Sequence, residues 1–86
     1  MSILKISTRQ VKAARELLAW SQEALAEKSG VSIPTIRRLE AKDGDLGGLP
    51  ETRAKIIAAL ETAGIEFDGG GLGVWLMLPK AKRKPK

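Results

Sequence analysis

Two adjacent arginines, Arg37 and Arg38, sit a few residues after Ser32 and Thr35, with Gln22 one short helix upstream. This set defines the recognition chemistry that the chain can offer. A guanidinium presents a rigid fork of donors that meets paired acceptors with two parallel bonds. Hydroxyls and a carboxamide add single directional bonds. Chemistry that makes or breaks covalent bonds finds little support. The chain has no His and no Cys, which removes thiol nucleophiles, disulfides and the usual zinc ligands. The run Gly69-Gly70-Gly71 precedes a strand candidate, not a helix, and so lacks the setting of a phosphate-binding turn. Serines, lysines and carboxylates are present, but no spacing sets them out as a catalytic group. The reading is a protein that is not an enzyme and uses no cofactor or metal.

For those side chains to act together, one ordered element must project them from one face. Ser32 is a good helix cap, and Pro34 then falls in the first turn, where its missing amide proton does no harm. Thr35 to about Ala41 continue that helix. Ile36 and Leu39 belong inside, which leaves Ser32, Ile33, Pro34, Thr35, Arg37 and Arg38 outside. Ser21 caps a preceding helix that runs from Gln22 to about Ser29. Its capping box is incomplete, since Ala24 stands where Glu or Gln would complete it. Gly30 follows as the left-handed residue just past a helix end.

Flanking elements supply the core. Ser7 or Thr8 starts a first helix with Val11, Ala14, Leu17 and Leu18 at helical spacing, ending near Trp20. Trp20, at the end of an amphipathic helix, is assigned to packing between helices. Residues 42–48 read as a turn-rich loop. Pro50 opens a fourth helix with Ala54, Ile57, Leu60 and Ala63 on one face and Ile56 and Ala59 beside it; Gly64 closes it. Ile65-Glu66-Phe67 and Val74-Trp75-Leu76-Met77-Leu78 are strand candidates for a hairpin, stopped by Pro79. A lone hairpin is marginal in water. Because Val74 to Leu78 is apolar on both faces, one face is expected to cover the helices and the other to meet a second copy. The fold class is therefore mainly α, with four helices and a short C-terminal β-hairpin or strand. Residues 1–79 form a single domain whose β segment, 65–78, serves dimerisation, and 80–86 form a disordered basic tail.

The totals bound this reading. A chain of 86 residues makes one domain with a modest core, and without disulfides or metals a partner subunit is the natural supplement. The net charge is +5. Lys80, Lys82, Arg83, Lys84 and Lys86 account for all of the excess, so residues 1–79 are formally neutral. Bulk charge thus says little about the folded part, and the tail is either a nonspecific phosphate contact or a solubilising end. No apolar run approaches the roughly 20 residues that span a bilayer. The N-terminus lacks the features of a signal peptide. A cytoplasmic protein with no membrane contact is expected.

The stretch from Ser21 to Glu40 combines three requirements for two short helices packed at a steep angle. Ala26 is small enough for a close crossing, Gly30 is free to take positive φ at the turn, and Leu25, Val31, Ile36 and Leu39 share an inner face. In this stretch the sequence resembles the helix-turn-helix family of phage repressors and xenobiotic-response-element-type bacterial regulators. The residues that carry the resemblance are Ser21-Gln22, Leu25-Ala26, Gly30-Val31-Ser32, Thr35-Ile36 and Leu39-Glu40, within a region of about residues 9–64. The resemblance implies a repressor-like helix-turn-helix domain, with Gln22 to Glu40 as the motif, that binds double-stranded DNA. It also implies that Gln22 bonds a backbone phosphate and that the outer face of the third helix reads base edges. A fifth helix is usual in the family; here the glycine-rich hairpin segment stands in its place.

Local chemistry assigns the remaining roles as expectations. Ser32, Ile33, Pro34, Thr35 and Arg38 are the candidate base contacts. Arg38 leads because an arginine can hold guanine O6 and N7 together, and Ile33 is matched to a thymine methyl. Gln22, Arg37, Lys42 and Arg53 are the candidate phosphate contacts, with Lys55 a weaker one. Each has a plainer alternative. Gln22 can be a polar first-turn residue, and Arg38 a solvated charge paired with a nearby acid. Ile33 can staple the start of its helix, Thr35 can bond back to its own backbone, and the others can be ordinary surface cations. Val74, Trp75, Leu76, Met77 and Leu78 are the candidate dimer contacts. The leading functional reading is a sequence-specific transcriptional regulator, a repressor acting as a homodimer on an inverted repeat, with autoregulation or control of a mobile element as extensions of the resemblance. The alternative is an antitoxin-type DNA-binding protein whose C-terminal segment binds a partner protein.

Overall fold

A computed structural model describes residues 6–68 and 73–77. The expected strand residue Leu78 and the basic run 80–86 lie outside the described residues. The elements are α1 (Thr8–Leu17), α2 (Gln22–Ser29), α3 (Ile33–Glu40), α4 (Pro50–Thr62), β1 (Ile65–Phe67) and β2 (Val74–Leu76). The chain is mainly α, with four helices and a two-stranded antiparallel hairpin, as its sequence pattern predicts. No helix of the described residues is long and apolar enough to cross a membrane.

Ser7, not Thr8, caps α1, and it does so with a complete capping box. Its hydroxyl accepts from the Gln10 amide at 3.1 Å while its own amide donates to Gln10 Oε1 at 2.9 Å. The pattern Ser-x-x-Gln was present in the sequence as the signature of that box. The helix ends at Leu17, and Ala19 then takes a φ of 57°. Leu17 departs from expectation: it is 47 % exposed. At 3.6 residues per turn it lies about 120° around the helix from Val11, whereas Ala14, Arg15 and Leu18 stay within about 60° of it.

The buried face of α4 is also rotated from the expected one. Ile56 and Leu60 are buried, Ile57 and Ala59 pack beside them, and Ala54 is exposed. Two large side chains four residues apart remove more apolar area from water than a face that includes Ala54 and Ala63. The four helices enclose Val11, Ala14, Leu25, Val31, Ile36, Leu39, Ile56 and Leu60, and Ile6, Leu46 and Ile65 close the core. Leu46 belongs to the turn-rich loop, which is anchored rather than free. The Leu46 amide donates to the Ile6 carbonyl at 3.0 Å, and the Thr8 amide donates to the Gly44 carbonyl at 2.9 Å. Ser7 and Asp45 complete an isolated antiparallel bridge.

In the hairpin, Ile65 pairs with Leu76, Glu66 with Trp75 and Phe67 with Val74. Alternation sends Ile65, Phe67, Val74 and Leu76 toward the helices, and leaves Trp75 46 % and Met77 36 % exposed. The expected dimer set is thereby divided: Val74 and Leu76 pack on the chain's own core, and Trp75 and Met77 face outward. One buried carboxamide docks the hairpin. Gln10, 1 % exposed, donates from Nε2 to the carbonyls of Asp68 and Gly73, which flank the two strands.

Gly64 makes the turn from α4 into β1 at a φ of +111°, and its carbonyl accepts from the Met77 amide at 2.7 Å. A Cβ at this position would collide with the Met77 backbone carbonyl. Gly30 also has positive φ, but a Cβ there would meet open space. Gly30→Ala is therefore expected to cost about 1 kcal/mol, from backbone strain alone. Gly64→Ala is expected to cost at least about 2 kcal/mol, because the clash adds to that strain. Urea unfolding of both variants measures the difference; equal losses would contradict the close packing of Gly64 on β2.

Candidate nucleic-acid interface

Local hydrogen bonds set the two short helices. Ser21 Oγ accepts from the Ala24 amide at 3.0 Å and starts α2. Gly30, at φ 76° and ψ 15°, ends it with its amide bonded to the Ala26 carbonyl. Ser29 Oγ accepts from the Val31 amide at 3.2 Å inside the turn. Ser32 Oγ accepts from the Thr35 amide at 3.4 Å and donates to Thr35 Oγ1 at 2.9 Å, starting α3. Residues of the turn thus satisfy one another's backbone groups, and α3 leaves at a fixed angle. Ala26 packs against the core between the helices, as the close crossing requires.

The inner face of α3 is Ile36, Leu39 and Glu40, all buried. Glu40 is the residue that sequence reasoning missed. Its carboxylate takes two parallel bonds from Arg15, Nε to Oε2 and Nη2 to Oε1, both at 2.9 Å. The side chains of Arg15 and Glu40 retain only 13 % and 5 % exposure. Arg15 Nη1 donates further to the Trp20 carbonyl at 2.9 Å, and Gln22 Nε2 donates to Glu40 Oε1 at 3.0 Å. The last residue of α3 is thereby tied to α1, to the segment before α2 and to the first residue of α2. A signal did exist in the sequence. Glu40 lies four positions after Ile36 and Arg15 four after Val11, so opposite charges occupy the apolar stripes of two helices.

The outer face of α3 carries the expected recognition set. Ser32, Pro34, Arg37 and Arg38 are exposed, and Ile33 and Thr35 are half-buried. Ile33 lies outside the core cluster and is half-buried at the start of α3. Arg38 has no ion pair or hydrogen bond among the described residues, although Asp43 and Asp45 line the same shallow hollow beside it. Lys42 lines that hollow as well, just beyond α3.

The expected phosphate contacts are less uniform. Gln22 is half-buried, and its bond to Glu40 engages its amide nitrogen. The carboxamide nitrogen has two protons, so one remains for an outside acceptor. The backbone amides of Gln22 and Glu23 at the start of α2 have no intrahelical acceptors, while that of Ala24 is capped by Ser21. Arg37 sits 3.6 Å from Glu23, with both side chains about 60 % exposed, a weak pair that water screens and that a phosphate can replace. Arg53 is engaged elsewhere, because its Nη1 donates to the Gly48 carbonyl at 2.6 Å and holds the loop before α4. Lys55 does not join the α3 face; it lines a groove against Trp20. Trp20 packs between helices, as its position predicts.

The family model described as Helix-turn-helix, of the Cro and xenobiotic-response-element type, matches residues 11–47. That span holds most of α1, all of α2 and α3, and the anchored loop after them. No curated protein matches the chain.

Breaking a buried ion pair on one side leaves an uncompensated charge, whereas replacing both partners by apolar groups removes the problem. Glu40→Ala is accordingly expected to cost about 3 kcal/mol in urea unfolding. The double variant Arg15→Met/Glu40→Leu is expected to recover most of that loss. A double variant no more stable than Glu40→Ala would show that the charges are not the source of the effect.

Proposed function

Because residues 11–47 match the helix-turn-helix family of the Cro and xenobiotic-response-element type, we propose that this DNA-binding regulator is a repressor. In this reading it acts as a homodimer on a short inverted repeat. The observation that carries the reading is the outer face of α3. It presents Arg38 without an intramolecular partner among the described residues, beside Ser32, Ile33, Pro34 and Thr35, while the buried Arg15–Glu40 pair fixes the helix behind it. Arg38 reads a guanine with both arms of its fork, and Ile33 meets a thymine methyl. Gln22, with the first-turn amides of α2, and Arg37 hold phosphates on either side. Lys42 adds a phosphate contact at the end of α3. Arg53 supports the interface by shaping the loop that it bonds.

The dimer uses the outward face of the hairpin. Trp75 and Met77 expose apolar area on an element that already covers its own core with its other face. A second copy covering them gives a two-fold protein, and two copies of α3 then meet successive major grooves about 34 Å apart. The same patch supports the antitoxin reading, in which an unrelated protein covers it. A composition without cysteine suits the reducing cytoplasm.

Selection from a random pool of duplexes is expected to return a two-fold symmetric site with the wild-type chain. With Arg38→Ala, preference should relax at one base pair per half-site, by about 1–3 kcal/mol. If the wild-type chain enriches no sequence, specific regulation is ruled out. Trp75→Glu is expected to convert the dimer to a monomer in sedimentation equilibrium and to weaken operator binding. A Trp75→Glu chain that still sediments as a dimer removes the hairpin from the interface. A wild-type monomer that copurifies with a second, stoichiometric protein from its own host supports the antitoxin reading in place of the self-sufficient dimer.

A further inference from the structure

Away from the outer face of α3, an open groove of about 450 Å³ lies between the C-terminal end of α2 and the later half of α4. Its apolar lining is Trp20 with Ala58, Ala59 and Ala63, and its cations are Lys28 and Lys55; among the described residues no carboxylate lines it. The alanines leave room for an aromatic body beside the indole. Lys28 Nζ stands 5.9 Å from the centroid of the Trp20 ring, within the distance at which the ring face attracts a cation. The ammonium thus stands at the groove, with no acid paired to it among the described residues. Among the described residues neither lysine has an ion pair, and the Trp20 indole N–H has no acceptor.

Three features select the occupant. The volume falls in the range of about 300–1,000 Å³ typical of small-molecule sites, which are mostly apolar with a few polar groups that fix orientation. The two cations call for an anion and disfavour the chain's own basic end, Lys80 to Lys86. An unpartnered indole N–H beside an apolar wall suits an acceptor attached to a ring.

We propose that this groove binds a small aromatic carboxylate, with its ring against Trp20 and the alanines and its carboxylate between Lys28 and Lys55. The site shares Trp20 with the network that fixes α3, since the carbonyl of that residue accepts from Arg15. The site does not rest on the proposed DNA contacts, and its test uses no DNA.

The ¹⁵N-labelled full chain is titrated with 2-naphthoate and, separately, with its uncharged counterpart 2-naphthylmethanol, and amide and indole resonances are followed. With 2-naphthoate, saturable shifts are expected at the Trp20 indole N–H and at the amides of Ser29, Ala59 and Ala63. Affinity is expected to fall about tenfold or more for the alcohol, and likewise for 2-naphthoate in Lys28→Gln/Lys55→Gln, the scale of one strong electrostatic contact. Ala63→Leu, which fills the groove, is expected to abolish the shifts while the rest of the spectrum keeps its dispersion. The proposal is overturned by shifts that do not saturate, by equal affinity for acid and alcohol, by shifts centred on Trp75 and Met77, or by undiminished binding in Ala63→Leu.

Discussion

The bidentate pair between Arg15 and Glu40 is the constraint on which the presentation of α3 depends. Two charges withdrawn from water are costly unless geometry and further hydrogen bonds compensate them. Here every arm is used: two bonds join the pair, a third runs to the Trp20 carbonyl, and Gln22 adds a fourth. Apolar contacts at Ile36 and Leu39 would tolerate a slide or rotation of a two-turn helix, because dispersion has little direction. A planar guanidinium facing a carboxylate does not tolerate it. The pair therefore converts an adhesive surface into a defined orientation. It does so from α1, an element that carries none of the candidate DNA contacts.

Most of the fold was legible because its signals are local. Ser21, Gly30, Ser32 and Pro34 mark helix ends through the backbone chemistry of single residues, and α2 and α3 begin where those residues place them. The apolar periodicity of α1 and α4 found both helices, but it carried α1 three residues too far, to Trp20 where the helix ends at Leu17, and it misjudged rotation at Leu17 and at Ala54. Rotation is a tertiary choice: it depends on which large side chains find partners across the core. Leu46 was illegible for a related reason. A single apolar residue among glycines and aspartates has no periodicity, and its burial follows from a bridge to a segment far away in sequence.

The candidate site divides along the same line. Its outward residues follow from subtracting Ile36 and Leu39 from α3, and the structure leaves Ser32, Pro34, Arg37 and Arg38 exposed with Ile33 and Thr35 half-buried among them. What subtraction cannot show is which polar groups are already engaged. Arg38 and Arg53 have the same side chain, yet among the described residues one fork has no partner and the other is bonded to the Gly48 carbonyl. Gln22 serves the interior with one proton of its amide and leaves the other. Lys55 lines the groove beside Trp20. Charge on a sequence therefore does not tell which candidate groups are already bonded within the fold; the hydrogen bonds do.

The docking of the hairpin through Gln10 has a kinetic consequence. The glutamine in the first turn of α1 meets carbonyls 58 and 63 residues further along the chain, whereas the contacts joining α1, α2 and α3 span far shorter loops. Contacts of high sequence separation must close a large loop before they gain anything, and topologies rich in them form slowly. The three-helix region can thus condense first and the hairpin arrive last. In reverse, the hairpin has two short strands, and apart from its apolar face and the turn at Gly64 one carboxamide ties it to α1, so it is the unit expected to open first by local unfolding. Each opening uncovers Ile65 and one side of α1 while the helix-turn-helix stays intact. Amide exchange is then expected to be layered by chain distance, faster in the hairpin and slower in the helical body.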